Sequence, residues 1–457
     1  MRSGNERDAG QKPGVARNGE AMMSLERARR GVLIGMVALS GVATLALAQQ
    51  APSDAPPPAV PDAAVAKAAA SEPPAAKPAA AKPSGFWIEG KDGSFKLRIS
   101  GYIQGDGRFY TGAGASSSTG TFLVRRAYTI AQGDLGRYLS FYVASDLGAG
   151  KASLEDGYVD LKLSPAARIR MGKTKSPVGL EALQSSSTML FVERGLPSAI
   201  APNRDIGVML LGEPADGVVA YAVGLFNGTL DGASLDQDAN KGKEGAARLF
   251  LRPLKKRGSA LDLGLGVAGS YGRNDGGLAT YKTPGQQSLF SYTSTASAEK
   301  NRRRIAPQGY AYYKVVGLMA EWTRSLQDAV KGSTHATVTG TAWNVAGSLV
   351  LTGEKASYSG VKPRRAFDPA ARAFGAVELA ARYGVLRIGD DAFAAGLADA
   401  TKSPRKASEL GLGINWYLSE NVKYQLNFEH TKFEGGAAGG ANRAAENALL
   451  LRAQVSF

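Results

Sequence analysis

The sequence predicts an all-β fold, a 16-stranded antiparallel transmembrane β-barrel preceded by a disordered Ala/Pro-rich tether. Three observations carry that reading. Apolar and polar residues alternate with period two from Phe86 to the last residue. Short and long connections take turns between the alternating segments, and the chain stops on an aromatic residue that ends an amphipathic strand.

Residues 1–48 read as a secretory signal peptide. Arg27, Arg29 and Arg30 precede an apolar run from Val32 to Leu47, and the small-residue sequence Ala46-Leu47-Ala48 supplies a cleavage site. The run is short for a membrane anchor and is broken by Gly35, Ser40, Gly41 and Thr44. A start at Met1, Met22 or Met23 leads to the same mature chain. Residues 49–84 are nearly all Ala, Pro, Lys and a few acids, too poor in bulky apolar surface to offset the entropy of ordering. They read as a semi-extended periplasmic linker, and nothing in them specifies a partner.

Residues 85–457 form the barrel domain. In its first strand Leu97, Ile99, Gly101, Ile103 and Phe109 share one face, while Arg98, Ser100, Gln104, Asp106 and Arg108 share the other. The first face suits lipid and the second suits water. Leu139, Phe141 and Val143 repeat the pattern, as do Val159, Leu161 and Leu163, then Leu261 to Val267, then Leu410 to Leu418. Sixteen such segments fit between Lys96 and Phe457 at about 23 residues each, which leaves room for the roughly 10 residues of a tilted spanning strand.

Short turns such as 164–167, 255–259 and 419–421 alternate with longer Gly/Ser/Asp-rich segments such as 111–120, 228–243 and 273–304. The last segment sets Leu449, Leu451, Val455 and Phe457 against Arg452, Gln454 and Ser456, a closing strand of the kind read by the outer-membrane barrel assembly machinery. Closure itself is a physical requirement, because a free sheet edge in hydrocarbon has no water to bond.

Composition narrows the chemistry. The net charge of +15 divides into +3 for residues 1–48, zero for 49–84 and +12 for the barrel domain, so the basic excess belongs to the folded part. In an exported chain that excess points to anionic solutes and lipid rather than nucleic acid. With no Cys and only His335 and His430, neither disulfides nor imidazole or thiolate metal sites are expected, and no cofactor is implied.

Several stretches resemble the phosphate-selective porin O and P family: Phe122 to Ala127 (FLVRRA), Leu154 to Pro165 (LEDGYVDLKLSP), Arg170 to Leu180 (RMGKTKSPVGL) and Leu190 to Gly207 (LFVERGLPSAIAPNRDIG). Gly224 to Gly228, Pro363 to Pro369 (PRRAFDP), Phe374 to Tyr383 (FGAVELAARY) and Gly413 to Tyr417 add to the likeness. The resemblance implies a homotrimeric outer-membrane porin, a passive anion-selective channel for phosphate or similar small anions, with its lumen narrowed by segments that fold inward. The connection between strands five and six, about 174–203, fits a constriction loop by its length. A second candidate is the loop ending in Lys300, Arg302, Arg303 and Arg304, and a third is the long periplasmic turn 354–373.

By alternation, Arg98, Arg108, Arg168, Arg170, Arg248 and Arg252 project into the lumen. Arginine suits an anion path because its planar fork donates in pairs to oxyanions and stays protonated. The resemblance places Arg125 and Arg126 at the anion-binding constriction, with Lys173, Lys175 and the loop serines Ser185 and Ser186 as further donors. Parity lets only one of the two adjacent arginines face inward unless a bulge admits the other. Asp146 or Asp160 orients these cations. The competing view is that each arginine only pairs with Asp106, Asp156, Asp160, Glu378 or Glu429. The same donors suit phosphate, polyphosphate, other oxyanions and organic acids, and the alternatives to a selective channel are a general diffusion pore or a structural barrel tethered to the cell wall. A hydrolase built on Ser408 and His430 lacks a G-x-S-x-G motif around the serine.

Overall fold

A computed structural model of the chain describes residues 84–112, 120–238, 240–255 and 259–457. The signal peptide and all but the last residue of the linker lie outside the described residues. The barrel strands are β1 (Phe95–Thr111), β2 (Thr121–Leu135), β3 (Leu139–Asp146), β4 (Ser153–Ser164), β5 (Ala167–Lys175), β6 (Arg204–Gly212), β7 (Val219–Phe226) and β8 (Glu244–Leu251). They continue as β9 (Leu261–Arg273), β10 (Ser297–Tyr313), β11 (Val316–Lys331), β12 (Thr334–Val350), β13 (Ala376–Ile388), β14 (Pro404–Tyr417), β15 (Val422–Gly435) and β16 (Glu446–Ser456). Each pairs antiparallel with the next, and β16 pairs with β1 from Asn447↔Thr111 to Ser456↔Tyr102, so the sheet has no free edge.

Closure rests on the two ends of the domain. Gly101 N–H donates to Phe457 O at 3.0 Å, and Phe457 N–H donates back to Gly101 O at 2.9 Å. Below Phe457 the same edge of β1 is taken up by a short leading strand, Phe86–Glu89, paired from Phe86↔Ile99 to Glu89↔Lys96. A Cβ on Gly101 would overlap the Tyr128 carbonyl and come within 2.8 Å of the Phe457 ring. The glycine is what lets that ring lie on the seam.

The outward residues Ile103, Val143, Val159, Met171, Leu210, Leu265, Leu318, Leu412 and Leu451 are exposed and apolar, as a surface facing lipid requires. One rim carries the long connections 176–203, 227–243 and 274–296, while the other is tight except for 351–375. Arg302, Arg303 and Arg304, read from sequence as the end of a loop, lie inside β10. Arg302 and Arg304 point inward and are buried against Glu244, with Arg304 Nη1 2.6 Å from its Oε1, and Arg303 points outward. Three adjacent charges look like a loop, but alternation and a buried acid place them in the wall.

The long connection 176–203 folds into the lumen and lies against β12–β16. Val192 N–H donates to Asn427 Oδ1 at 2.6 Å, Arg452 donates to the Val192 carbonyl at 2.7 Å, and Asn415 to the Leu190 carbonyl at 2.9 Å. Its own Met189, Phe191, Leu196 and Ile200 are fully buried against that wall. From the opposite rim 351–375 reaches up to meet it, Tyr358 O–H donating to Leu180 O and Gln184 Nε2 to Tyr358 O, both at 2.6 Å. That half of the lumen is filled, and the cavities that remain follow the β1–β8 wall.

Gly101→Val tests the seam. The overlap costs on the order of 3 kcal/mol, and the variant is expected to lose the compact, heat-modifiable band that the folded barrel gives on an unboiled gel.

Candidate functional site

The site begins with a local irregularity in β2. Gln104 of β1 faces Arg126 and the next residue, Gly105, faces Val124, so Arg125 is the extra residue of a β-bulge. The bulge turns two consecutive arginines to the same side. Arg125 Nε donates to Glu193 Oε1 at 2.6 Å, while Arg126 donates to Gln104 Oε1 at 3.0 Å and lies 3.8 Å from Glu193 Oε2. Arg108 and Arg452 approach the same carboxylate at 3.0 and 3.7 Å. Burial alone would raise the Glu193 carboxyl, but the attraction of Arg125, Arg126 and Arg452 outweighs it and holds the group well below the usual carboxylate range. Four guanidinium groups therefore surround one ionised acid carried by the inward loop.

Two cavities flank this cluster. The upper one, about 520 Å³, is lined by Arg125, Arg126, Glu193 and Arg194 and roofed by residues of 274–296. The lower one, about 410 Å³, runs along β1–β8 and is lined by Arg168, Arg170, Lys175 and Arg248. They share Tyr128, Ser186 and Arg204, which form the neck between them. The lower cavity sets five basic side chains against two acidic ones, Asp156 and Glu213, whereas the upper sets five against four.

The residues singled out from sequence fall into three groups. Arg125, Arg126 and Arg108 meet at Glu193, and Ser186 sits at the neck with its carbonyl accepting from Gln104 Nε2 at 3.0 Å. Arg168, Arg170, Lys175, Ser185 and Arg248 line the lower cavity. Of these, Arg170 is held by Asp160 through bonds of 2.7 and 2.9 Å and stacks on Tyr158 at 3.6 Å. Asp160 is thus the acid that orients a cation, whereas Asp146 accepts from the backbone N–H groups of Ala127 and Gly148.

The third group lies elsewhere. Arg98 donates to Ser84 O at 2.8 Å and pins the leading strand, Arg252 pairs with Glu213 at 2.9 Å at the tight rim, and Lys173 bonds Leu154 O and Asp236 and lines neither cavity. Ser408 and His430 lie on the outer wall, with His430 bonded to Asn447 at 2.6 Å.

Arg204 escaped the sequence reading, and Glu193 and Arg194 entered it only as a charged pair of the constriction loop. Arg204 opens β6 at the neck and pairs with Glu155 at 2.7 Å and Asp156 at 3.1 Å. Among the described residues, Arg194 donates only to the carbonyls of Glu181 and Gln184. Glu193 was legible as a loop residue but not as the shared partner of four arginines, because those partners come from the first two strands and the last one. The available signal was the charged pair Glu193-Arg194 within the loop and the pair Arg204-Asp205 at the start of β6.

A closed barrel with an apolar outside, a charged inside and a loop folded across it defines a transmembrane diffusion channel of the porin class. The comparisons agree. The family model described as "Phosphate-selective porin O and P" matches residues 97–457, and the chain belongs to that family. Porin O of Pseudomonas aeruginosa is 23% identical over 375 residues, 75% of this chain and 84% of that protein. Among solved structures, the outer membrane channel DcaP of Acinetobacter baumannii superposes with a TM-score of 0.53 at 11% identity, covering 82% of this chain and all (100%) of that one. OmpT of Vibrio cholerae superposes at 0.50 with 9% identity, over 81% and 100%. The protein is a channel of the Gram-negative outer membrane rather than an enzyme.

Glu193→Gln removes the acid that four arginines share. Anion over cation permeability, read from zero-current potentials in planar bilayers, is expected to rise by about fourfold, because one unit charge about 10 Å from a permeating ion in water changes the two permeabilities by about twofold each in opposite directions. The pH dependence follows in sign. Because the folded carboxyl is depressed, its contribution to holding the loop is present above the ordinary carboxylate pKa and is lost only as pH falls beneath that range. Single-channel conductance should therefore stay level from neutral pH through the usual carboxylate range and change only at more acidic pH.

Proposed function

We propose that the channel is selective for anions and passes phosphate or similar small oxyanions. The observation that carries this reading is the lining of the lower cavity, five basic side chains against two acidic ones. An ion entering the neck loses hydration water, and the wall replaces it with guanidinium and hydroxyl donors. Lys175 donates only to the Leu183 and Gln184 carbonyls and Arg248 has a buried Nε without a partner. Neither forms an ion pair among the described residues, so the Arg248 charge and the Lys175 amine remain available to a passing anion. Arg125, Arg126 and Arg204 supply the approach to the neck, with their charge divided between the path and nearby acids.

In a potassium chloride gradient the zero-current potential should show chloride crossing in preference to potassium. Arg248→Ala should lower that preference by about fourfold, one unit charge at about 10 Å in water acting about twofold on each ion in opposite directions. Equal permeability of the two ions in the wild type overturns the proposal.

The partners follow from the wall. Strands β3, β7 and β8 have eight residues each, against sixteen or seventeen in β10–β12. A lone spanning strand needs about 9–11 residues, so the low wall favours contact with other protomers in a homotrimer, through outward residues such as Val143, Val159, Val223 and Leu225. Phe457 and its strand favour recognition by the barrel assembly machinery, and residues 1–48 favour export as a signal peptide. Placing lysine at both Val159 and Leu225 is expected to convert a cross-linkable trimer into monomers in mild detergent. Retention of the trimer would assign the contact to another face.

A further inference from the structure

The lower cavity has an aromatic wall that an inorganic oxyanion does not need. Strands β1 to β4 each contribute one tyrosine to the lining of this cavity: Tyr102, Tyr128, Tyr142 and Tyr158. The rings are stacked in two pairs, Tyr102 on Tyr128 with centroids 4.7 Å apart and planes at 12°, and Tyr142 on Tyr158 at 5.3 Å and 7°. The upper pair is buried at the neck and the lower pair is half-exposed.

The register explains why the rings meet. Tyr102 faces Tyr128 across β1 and β2, and Tyr142 faces Tyr158 across β3 and β4, so each pair is a direct cross-strand neighbour. Arg170 continues the lower stack, its guanidinium carbon 3.6 Å from the centre of the Tyr158 ring, and Arg248 lies 4.3 Å from the Phe250 ring on the far side of the cavity. Flat rings and flat cations thus line one chamber of about 410 Å³, a size within the range of cavities that enclose organic ligands.

Resting on the anion-selective reading above, we infer that this chamber recognises organic anions carrying an aromatic ring next to their charge, with aryl carboxylates as the representative class. The carboxylate takes the place of the oxyanion among Arg168, Arg248 and Lys175, and the ring lies against the Tyr142–Tyr158 stack. Arg170, stacked on Tyr158 and bonded to Asp160, closes one end of the stack, so a ligand makes two contacts, its ring with the tyrosines and its carboxylate with the remaining cations. Inorganic phosphate uses only the second of these contacts. Tyrosine also offers a hydroxyl, and a wall that used only its O–H groups would treat acetate and benzoate alike.

The experiment is block of the chloride current by acetate, benzoate and cyclohexanecarboxylate in planar bilayers, with the intact protein in its native oligomeric state. Benzoate is expected to half-block at a concentration about fivefold below that of acetate, within the range of one aromatic contact, and cyclohexanecarboxylate is expected to fall between them. Tyr142→Phe and Tyr158→Phe should keep the benzoate advantage, and Tyr142→Val should remove most of it without changing block by phosphate. Equal half-block by acetate and benzoate in the wild-type channel overturns the inference whatever the variants do. Cyclohexanecarboxylate as strong as benzoate also overturns it, replacing ring recognition with general apolarity. The two readings separate cleanly: loss of chloride preference removes the anion channel itself, whereas intact chloride preference with no benzoate advantage removes only the aromatic class.

Discussion

Every backbone amide in the membrane has to find a partner inside the sheet, and the rest of this structure depends on how that requirement is met. The seam between β1 and β16, finished by the paired bonds of Gly101 and Phe457, leaves no edge exposed. Once the sheet is closed, the period-two rule gives each residue a lipid side or a water side. A single extra residue then has a large effect, because it shifts parity locally. The bulge at Arg125 uses that effect to place two neighbouring guanidinium groups on the wet side of the wall.

Inside the barrel, charge is arranged unevenly. On the β12–β16 side, arginines are matched to acids at close range, as in Arg452 with Asp106 and Arg382 with Glu409 and Glu429, and the inward loop covers them. Those pairs fasten the loop and contribute little field to the open path. On the β3–β8 side the matching is incomplete, and the cations outnumber the acids. The same residue type therefore serves as a fastener on one side of the barrel and as a source of positive potential on the other.

Much of this was legible in the sequence. Alternation gave the strand number, the long connection between β5 and β6 and the long turn between β12 and β13, because lipid outside and water inside impose a pattern every two residues. The bulge was visible only as a conflict, two adjacent arginines with one inward position available. What stayed hidden depended on register between distant strands. Arg302 and Arg304 read as loop residues because their partner Glu244 belongs to another strand, and Lys173 read as a donor because local spacing does not report which side of a strand end is covered. Asp160, rather than Asp146, became the orienting acid only when β4 and β5 were placed side by side, with Asp160 opposite Arg170.

The ring of arginines around Glu193 also bears on the timing of biogenesis. Arg108 and Arg125 come from the first hairpin, Glu193 from the middle of the chain, and Arg452 from the last strand. Contacts so remote along the polypeptide form late, after the chain entropy separating them has been spent. The ring is therefore complete only when the final strand reaches the first, so sealing the wall and finishing the passage are one event.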